Sequence, residues 1–83
     1  MAGWRDDGEA LIRDLEFENF AEAMAFVNEV AAVAERENHH PDIAIHGWNK
    51  VRLALFTHSE NRITDADHAM AEKIDALDQD DAR

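Results

Sequence analysis

The stretch that decides the fold is residues 43–55, which read IAIHGWNKVRLAL. Apolar side chains alternate with polar or small ones on either side of Gly47 and Asn49, two residues that favour a turn. The large aliphatic side chains of the second half are Val51, Leu53 and Leu55. Because they share one face of a strand, we predict a β-hairpin that directs this face to a hydrophobic core.

A second hairpin is predicted near the start of the chain. Asp7-Gly8 is a tight-turn signal, and Trp4 lies in a short segment before it. The apolar residues that alternate with acidic ones after the turn are Leu11, Leu15 and Phe17. A period of two is typical of a half-buried strand, so Trp4 is expected on a short partner strand.

The first hairpin is followed by a segment with helical periodicity. Asn19, with Glu22 three residues later, predicts a capped helix start. The helix is expected to run to about Asn38 and to be stopped by Pro41. Its predicted apolar stripe is Phe20, Met24, Val27, Ala31 and Ala34.

The second hairpin is also followed by a helical pattern. Thr64 and Asp67 have the spacing of a capping box. The apolar stripe that follows is Ala66, Met70, Ile74 and Leu77. The order strand, strand, helix therefore occurs twice (β-β-α-β-β-α), which predicts an α+β fold with a four-stranded antiparallel sheet and two helices on one face.

Length and charge limit the functions that the chain can have. Its 83 residues predict a single domain, residues 1–83, and a domain this small favours association with copies of itself. The 19 acidic residues against 8 basic ones give a net charge of -11, which disfavours nucleic acid and anionic membranes as direct partners. With no cysteine and no apolar stretch long enough to span a membrane, we expect a cytoplasmic protein.

Three of the five histidines lie where predicted elements end. His39 and His40 follow the first helix, and His58 follows the last strand. His58 has the strand parity opposite to the core-facing side chains, so it should project from the face that the helices do not cover. Glu35 lies one helical turn before His39, close enough to orient its imidazole. Such histidines suit proton transfer near neutral pH.

Other interpretations of these residues stay open at this point. A histidine pair can simply terminate a helix, His58 can be a loop residue, and Asp67 can act only as the partner of Thr64. Zinc could be held by Glu35, His39 and His58, but no established ligand spacing is present. Ser59 lacks the glycine context of a nucleophile elbow. His46 and His68 are interpreted as surface residues.

The spacing of these residues resembles a known family signature. Residues 35–41 read ERENHHP, Trp48 leads into Asn49-Lys50-Val51, Thr57-His58 follows, and Asp67 comes last. This pattern is similar to that of the pterin-4a-carbinolamine dehydratases, and the similarity covers nearly the whole chain. The resemblance implies a hydro-lyase that dehydrates a 4a-hydroxy-tetrahydropterin to the quinonoid dihydropterin in tetrahydrobiopterin recycling, without a metal or organic cofactor.

The resemblance also implies a set of site residues. The catalytic residues would be His39, His40, His58 and Glu35. The pterin-contacting residues would be Asn38, His39, His40, Phe56, Thr57, His58, Ser59 and Asp67. We hypothesise that His39 and His58 transfer protons, that His40 positions the substrate, and that Glu35 fixes the imidazole orientation. Which histidine is acid and which is base is left open.

The family implies partners besides the small-molecule pterin substrate. A homodimer or homotetramer is expected. The alternative function is a non-catalytic interaction module on the same fold, as in relatives that act as a transcription-factor dimerisation cofactor or as enzyme assembly factors. This chain departs from the family pattern in three places. Relatives usually carry a further helical segment before the Gly-Trp that here is Gly3-Trp4, so the sequence is interpreted either as a short form or as lacking its natural start. Phe56 is bulkier than the usual residue, and Asn61-Arg62 stand where glycines are common. Asn61 tolerates a left-handed conformation better than Arg62.

Overall fold

The predicted order of elements is confirmed in a computed structural model that describes residues 3–80, with side chains described as far as Leu77. The elements are β1 (Trp4–Asp6), β2 (Leu11–Glu16), α1 (Phe20–Glu37), β3 (Asp42–His46), β4 (Lys50–Leu55) and α2 (Asp65–Asp80). The predicted domain bounds also include residues 1–2 and 81–83, which lie outside the described residues. Neither helix within residues 3–80 is long and apolar enough to cross a membrane.

The four strands form one antiparallel sheet in the order β1-β2-β4-β3. Ala54, next to the end of β4, pairs with Asp42 at the start of β3 and with Ile12 at the start of β2. The β1–β2 turn, the start of β3 and the end of β4 therefore share one end of the sheet. We call it the exit end, because β4 leaves the sheet there.

The core lies between the sheet and the two helices. Val51, Leu53 and Leu55 are fully buried, as the alternation in β4 predicts. The carboxylate of Asp75 in α2 accepts hydrogen bonds from Trp4 Nε1 at 2.8 Å and from the Arg13 guanidinium at 2.5 Å. These bonds join α2 to β1 and β2, so two polar groups on the helix-facing side of the sheet have a charged partner.

The predicted apolar stripe of α1 is wrong in its phase. The side chains that α1 buries are Ala23, Phe26, Val30, Val33 and Ala34. Phe20 is instead 53% exposed, and Ala31 is exposed. The helix carries apolar residues on two neighbouring faces, about a quarter turn apart at 100° per residue, and periodicity alone does not say which face meets the sheet.

The β3–β4 turn is more constrained than a simple loop. Gly47 and Trp48 both have positive φ, 56° and 60°, and Trp48 is 61% exposed. Asn49 is buried, and its side-chain amide donates to the carbonyl oxygen of Phe17 at 2.9 Å. The Phe17 N–H donates in return to the Asn49 carbonyl at 2.8 Å. These two bonds fix the turn to the end of β2.

Candidate active site

The end of α1 sets the positions of the two adjacent histidines. Asn38 takes a left-handed conformation, φ 53° and ψ 41°, and its N–H donates to the Ala34 carbonyl. The chain therefore leaves the helix before His39, and the predicted contact between Glu35 and His39 does not form. Glu35 Oε2 instead lies 2.5 Å from His40 Nε2, and both side chains are exposed. A contact one turn apart needs the helix to continue, and the left-handed cap prevents this.

The carboxylate that holds His39 is Asp67, at the start of α2. Asp67 Oδ1 lies 2.6 Å from His39 Nε2. The side chain of Asp67 is fully buried, while that of His39 is 20% exposed. His39 is therefore anchored from the protein interior, and it keeps part of its surface accessible.

The second oxygen of Asp67 has two further donors. Thr57 Oγ1 donates to Asp67 Oδ2 at 2.7 Å, and the Thr64 N–H donates to the same oxygen at 2.9 Å. The predicted capping box thus forms in its carboxylate half, while Thr64 Oγ1 accepts from the Ala66 N–H at 3.3 Å. Burial alone would raise the pKa of Asp67, but the hydrogen bonds from Thr57, the Thr64 N–H and His39 outweigh it and lower the pKa. The carboxylate is ionised at neutral pH.

His58 lies on the other side of the segment that leaves β4. The backbones of Thr57 and Arg62 pair in an antiparallel β-bridge that closes a tight loop. Within this loop Asn61 has φ 56°, the left-handed conformation expected for it. The rings of Phe56 and His58 meet edge to face, with centroids 5.1 Å apart. Because side chains alternate along the extended chain, Thr57 points towards Asp67, whereas Phe56 and His58 point away from Asp67.

Phe56 and His58 line a cavity of about 670 Å³ at the exit end of the sheet. Its other walls are the β1–β2 turn, Asp42 and residues 61–63. This placement agrees with the outward parity that the sequence predicts for His58. The volume lies within the range of about 300–1,000 Å³ that small-molecule sites occupy. The cavity combines an aromatic ring, a carboxylate and an imidazole, and can therefore hold a flat polar ligand.

The structure separates the predicted site residues into three groups. His39 faces a small cavity of about 120 Å³ with Met70 and Lys73, whereas His58 lies in the larger one. Among the described residues, no hydrogen bond or ring contact joins His58 to His39 or His40. The third group is the exposed pair of Glu35 and His40.

Two of the residues predicted to contact the substrate are bonded within the protein. Thr57 and Asp67 bond to each other, and the Asp67 side chain has no exposed surface for a ligand. Asn38 is the exposed cap of α1, and Ser59 borders a separate depression beside the start of α2. His46 and His68 are exposed, as expected.

The sequence interpretation missed Asp42 and Arg62 as cavity residues. Asp42 could have been found by counting hairpin pairs outward from Gly47, because its partner Ala54 has the parity of Phe56 and His58. Among the described residues, no three His, Asp or Glu side chains are grouped as metal ligands would be. The three residues considered for zinc have different partners: Glu35 contacts His40, His39 contacts Asp67, and His58 packs on Phe56.

Comparison with protein families identifies relatives of this chain. Residues 1–77 match the family model described as pterin 4 alpha carbinolamine dehydratase. A protein of Thermomicrobium roseum is 52% identical over 77 residues, which are 93% of this chain and 82% of that protein. One of Rubrobacter xylanophilus is 42% identical over 78 residues, or 93% and 72%. Both are named for an inferred pterin-4-alpha-carbinolamine dehydratase activity.

Two solved structures share the fold. A transcriptional coactivator/pterin dehydratase from Brucella melitensis superposes with a TM-score of 0.83 at 38% identity, covering 93% of this chain and 83% of that one. A pterin dehydratase-like protein identified as a RuBisCO assembly factor in the alpha-carboxysome gives a TM-score of 0.75 at 29% identity, covering 90% and 88%. Similar chains therefore carry both enzymatic and assembly names.

Proposed function

This chain belongs to the pterin 4 alpha carbinolamine dehydratase family, and we propose that it removes water from a 4a-hydroxy-tetrahydropterin to give the quinonoid dihydropterin. The observation that carries the proposal is the cavity of about 670 Å³ at the exit end, with His58 packed on Phe56 in its wall. The imidazole there can exchange a proton with a ligand that fills the cavity. Its aromatic neighbour offers an apolar surface to a flat ring.

The reaction needs one base and one acid near the reacting ring. The base takes the proton of the ring nitrogen next to C4a, and the electron pair of the broken N–H bond forms a carbon–nitrogen double bond. The C4a–O bond breaks at the same time, and the departing hydroxide takes a proton from the acid and leaves as water. Each positioned proton transfer contributes about 10²- to 10⁴-fold to the rate.

We assign the two proton transfers to His39 and His58. Both lie at the exit end of the sheet, because Thr57, next to His58, bonds to the carboxylate that holds His39. The reacting ring would extend from the cavity beside His58 to the end of α1, because His39 and His40 do not line that cavity, and the exposed His40 and Asn38 would contact it there. Glu35 would orient His40, its partner at 2.5 Å. All five side chains belong to the protein, and the proposed reaction uses no metal or organic cofactor.

The test is stopped-flow dehydration of 4a-hydroxy-tetrahydropterin generated in situ. His58→Ala should lower the enzyme-catalysed rate by at least about tenfold, because it removes one proton-transfer group. His68→Ala is the matched control: it removes an exposed imidazole that does not line this cavity and should leave the rate unchanged. An unchanged rate in His58→Ala, or a wild-type chain without catalysis, would contradict the proposal. Full loss of activity with EDTA would favour metal chemistry instead.

The exposed apolar surface supports self-association, which we also propose. β3 is an edge strand, and its Ile43, on the helix side of the sheet, is 37% exposed. Antiparallel pairing of two β3 strands about Ala44 would place Asp42 of each copy opposite His46 of the other, a match of opposite charge when the imidazole is protonated. A homodimer formed in this way would satisfy the free edge of the sheet. A tetramer would need a second surface.

The second candidate function is a protein-interaction module. The observation that favours it is the exposure of three large apolar side chains, Phe20, Ile43 and Trp48. Trp48 carries the added cost of a left-handed backbone, and backbone strain is often kept where a surface has a function. The dehydration assay separates the two candidates, because a non-catalytic interaction module does not convert 4a-hydroxy-tetrahydropterin.

A further inference from the structure

The hydrogen bonds around Asp67 have only one consistent direction. Thr57 has a single hydroxyl proton, which it donates to Asp67 Oδ2. Its other contact, at 2.7 Å to Thr64 Oγ1, must therefore have Thr64 as the donor. Thr64 Oγ1 in turn accepts from the Ala66 N–H. The chain of donors thus begins at a backbone amide, which cannot reverse, and ends at the carboxylate.

Asp67 is therefore an acceptor on both oxygens. Oδ2 receives Thr57 and the Thr64 N–H, so Oδ1 is left for His39 Nε2 at 2.6 Å. An ionised carboxylate has no proton to donate, so Nε2 must carry the hydrogen of this bond. In neutral His39 the lone pair is then on Nδ1. Within the described part of the chain, Nδ1 has no hydrogen-bond partner.

We propose, on the basis of the function proposed above, that Asp67 and Thr57 are positioning residues that hold His39 in the Nε2–H tautomer and leave Nδ1 as the base that receives the substrate proton. When Nδ1 takes the proton, the imidazole becomes cationic beside a buried carboxylate at hydrogen-bond distance. That carboxylate stabilises the new charge without itself being protonated, as the aspartate of a serine protease triad does. His58 is then the acid.

Asp67→Asn is the sharpest test, because the surrounding donors dictate how the amide must sit. The Thr64 N–H can bond only to an acceptor, so the amide oxygen takes the place of Oδ2. The amide nitrogen then faces His39 and donates to Nε2, which forces the proton onto Nδ1. The variant keeps the shape of the side chain and its bond to the helix start, and it reverses the tautomer of one imidazole.

The tautomer is measured directly by long-range ¹H–¹⁵N NMR of the imidazoles at alkaline pH, with the His39 signals assigned from their loss in His39→Gln. We expect Nε2–H in the wild type and Nδ1–H in Asp67→Asn. The dehydration kcat should fall by about 10²- to 10⁴-fold, with KM changed far less, because the base is lost and the substrate surface is not. His68→Ala, an exposed neighbour on α2, should change neither measurement.

Thr57 gives a second, milder test. Thr57→Val removes one donor to the carboxylate and should lower kcat by about tenfold, whereas Thr57→Ser should restore it. A wild-type His39 with the proton on Nδ1, or an Asp67→Asn variant with an unchanged tautomer, would overturn the assignment. A tautomer that switches in a chain without dehydratase activity would instead overturn the proposed function and leave the assignment of the hydrogen-bond direction intact.

Discussion

Replacing Asp75 by alanine should cost much more stability than the same change at Asp14. Both carboxylates bind two donors, but on opposite sides of the sheet. Asp75 holds Trp4 and Arg13 beneath α2, where the side chains of Asp75 and Arg13 are 23% and 14% exposed. Asp14 holds Arg5 and Arg52 on the open face, where it is 41% exposed.

The magnitude follows from the contacts that each site loses, two donor side chains in both cases. Removing a partly buried acceptor from a charged donor costs about 1.5–3 kcal/mol, and from a neutral one about 1 kcal/mol, so Asp75→Ala should cost about 2–4 kcal/mol. Exposed ion pairs are worth about 0–1 kcal/mol because water screens them, so Asp14→Ala should cost less than about 1 kcal/mol. The first figure is a large part of the roughly 4–12 kcal/mol expected for a domain of this size.

The assay is urea unfolding followed by circular dichroism, at one fixed protein concentration because association would add to the apparent stability. The free energy of unfolding of each variant is compared with that of the wild type, and an unchanged m-value confirms that the same transition is observed. Costs for Asp75→Ala and Asp14→Ala that agree within about 0.5 kcal/mol would refute the reasoning, since position relative to α2 would then have no effect on the value of the contact.

Two further predictions concern acid stability and assembly. Because hydrogen bonds lower the pKa of Asp67 in the fold, its ionised form adds stability above the ordinary aspartate range, and this is lost as the pH falls through the folded pKa. As the pH falls below the ordinary aspartate range, the wild type should therefore lose its advantage over Asp67→Asn in urea midpoint; a gap that widens in that range would contradict this sign. Ile43→Lys should give monomers in analytical ultracentrifugation if β3 is the self-association edge, whereas Glu29→Lys, an exposed change on α1, should not.

Most of the fold could be predicted from local sequence patterns. β4 could be predicted because Val51, Leu53 and Leu55 need only a period of two and a turn signal to be placed on one face. The cap at Thr64 could be predicted because its partner is three residues away. The phase of α1 could not, since the choice between Phe20 and Phe26 as the buried aromatic depends on where the sheet lies.

The contacts within the candidate site could not be predicted from local spacing. Glu35 was matched to His39 on the assumption that the helix continues, but Asn38 ends it and Glu35 meets His40. The bond between His39 and Asp67 joins positions 28 residues apart, so it depends on the packing of α1 against α2. No local spacing contains that information.

The bond between the Thr64 N–H and Asp67 has a consequence for how the sequence can vary. At many helix starts the third position can be Glu or Gln, because either side chain can reach back to the cap. Here the Asp67 carboxylate also positions the imidazole of His39. A glutamate, which is longer by one methylene, would push His39 outwards or leave the Thr64 N–H without its bond. The residue at position 67 is therefore constrained both by the helix cap and by the contact with His39. A graft of this helix start into another chain would transfer the cap but not the contact with the imidazole.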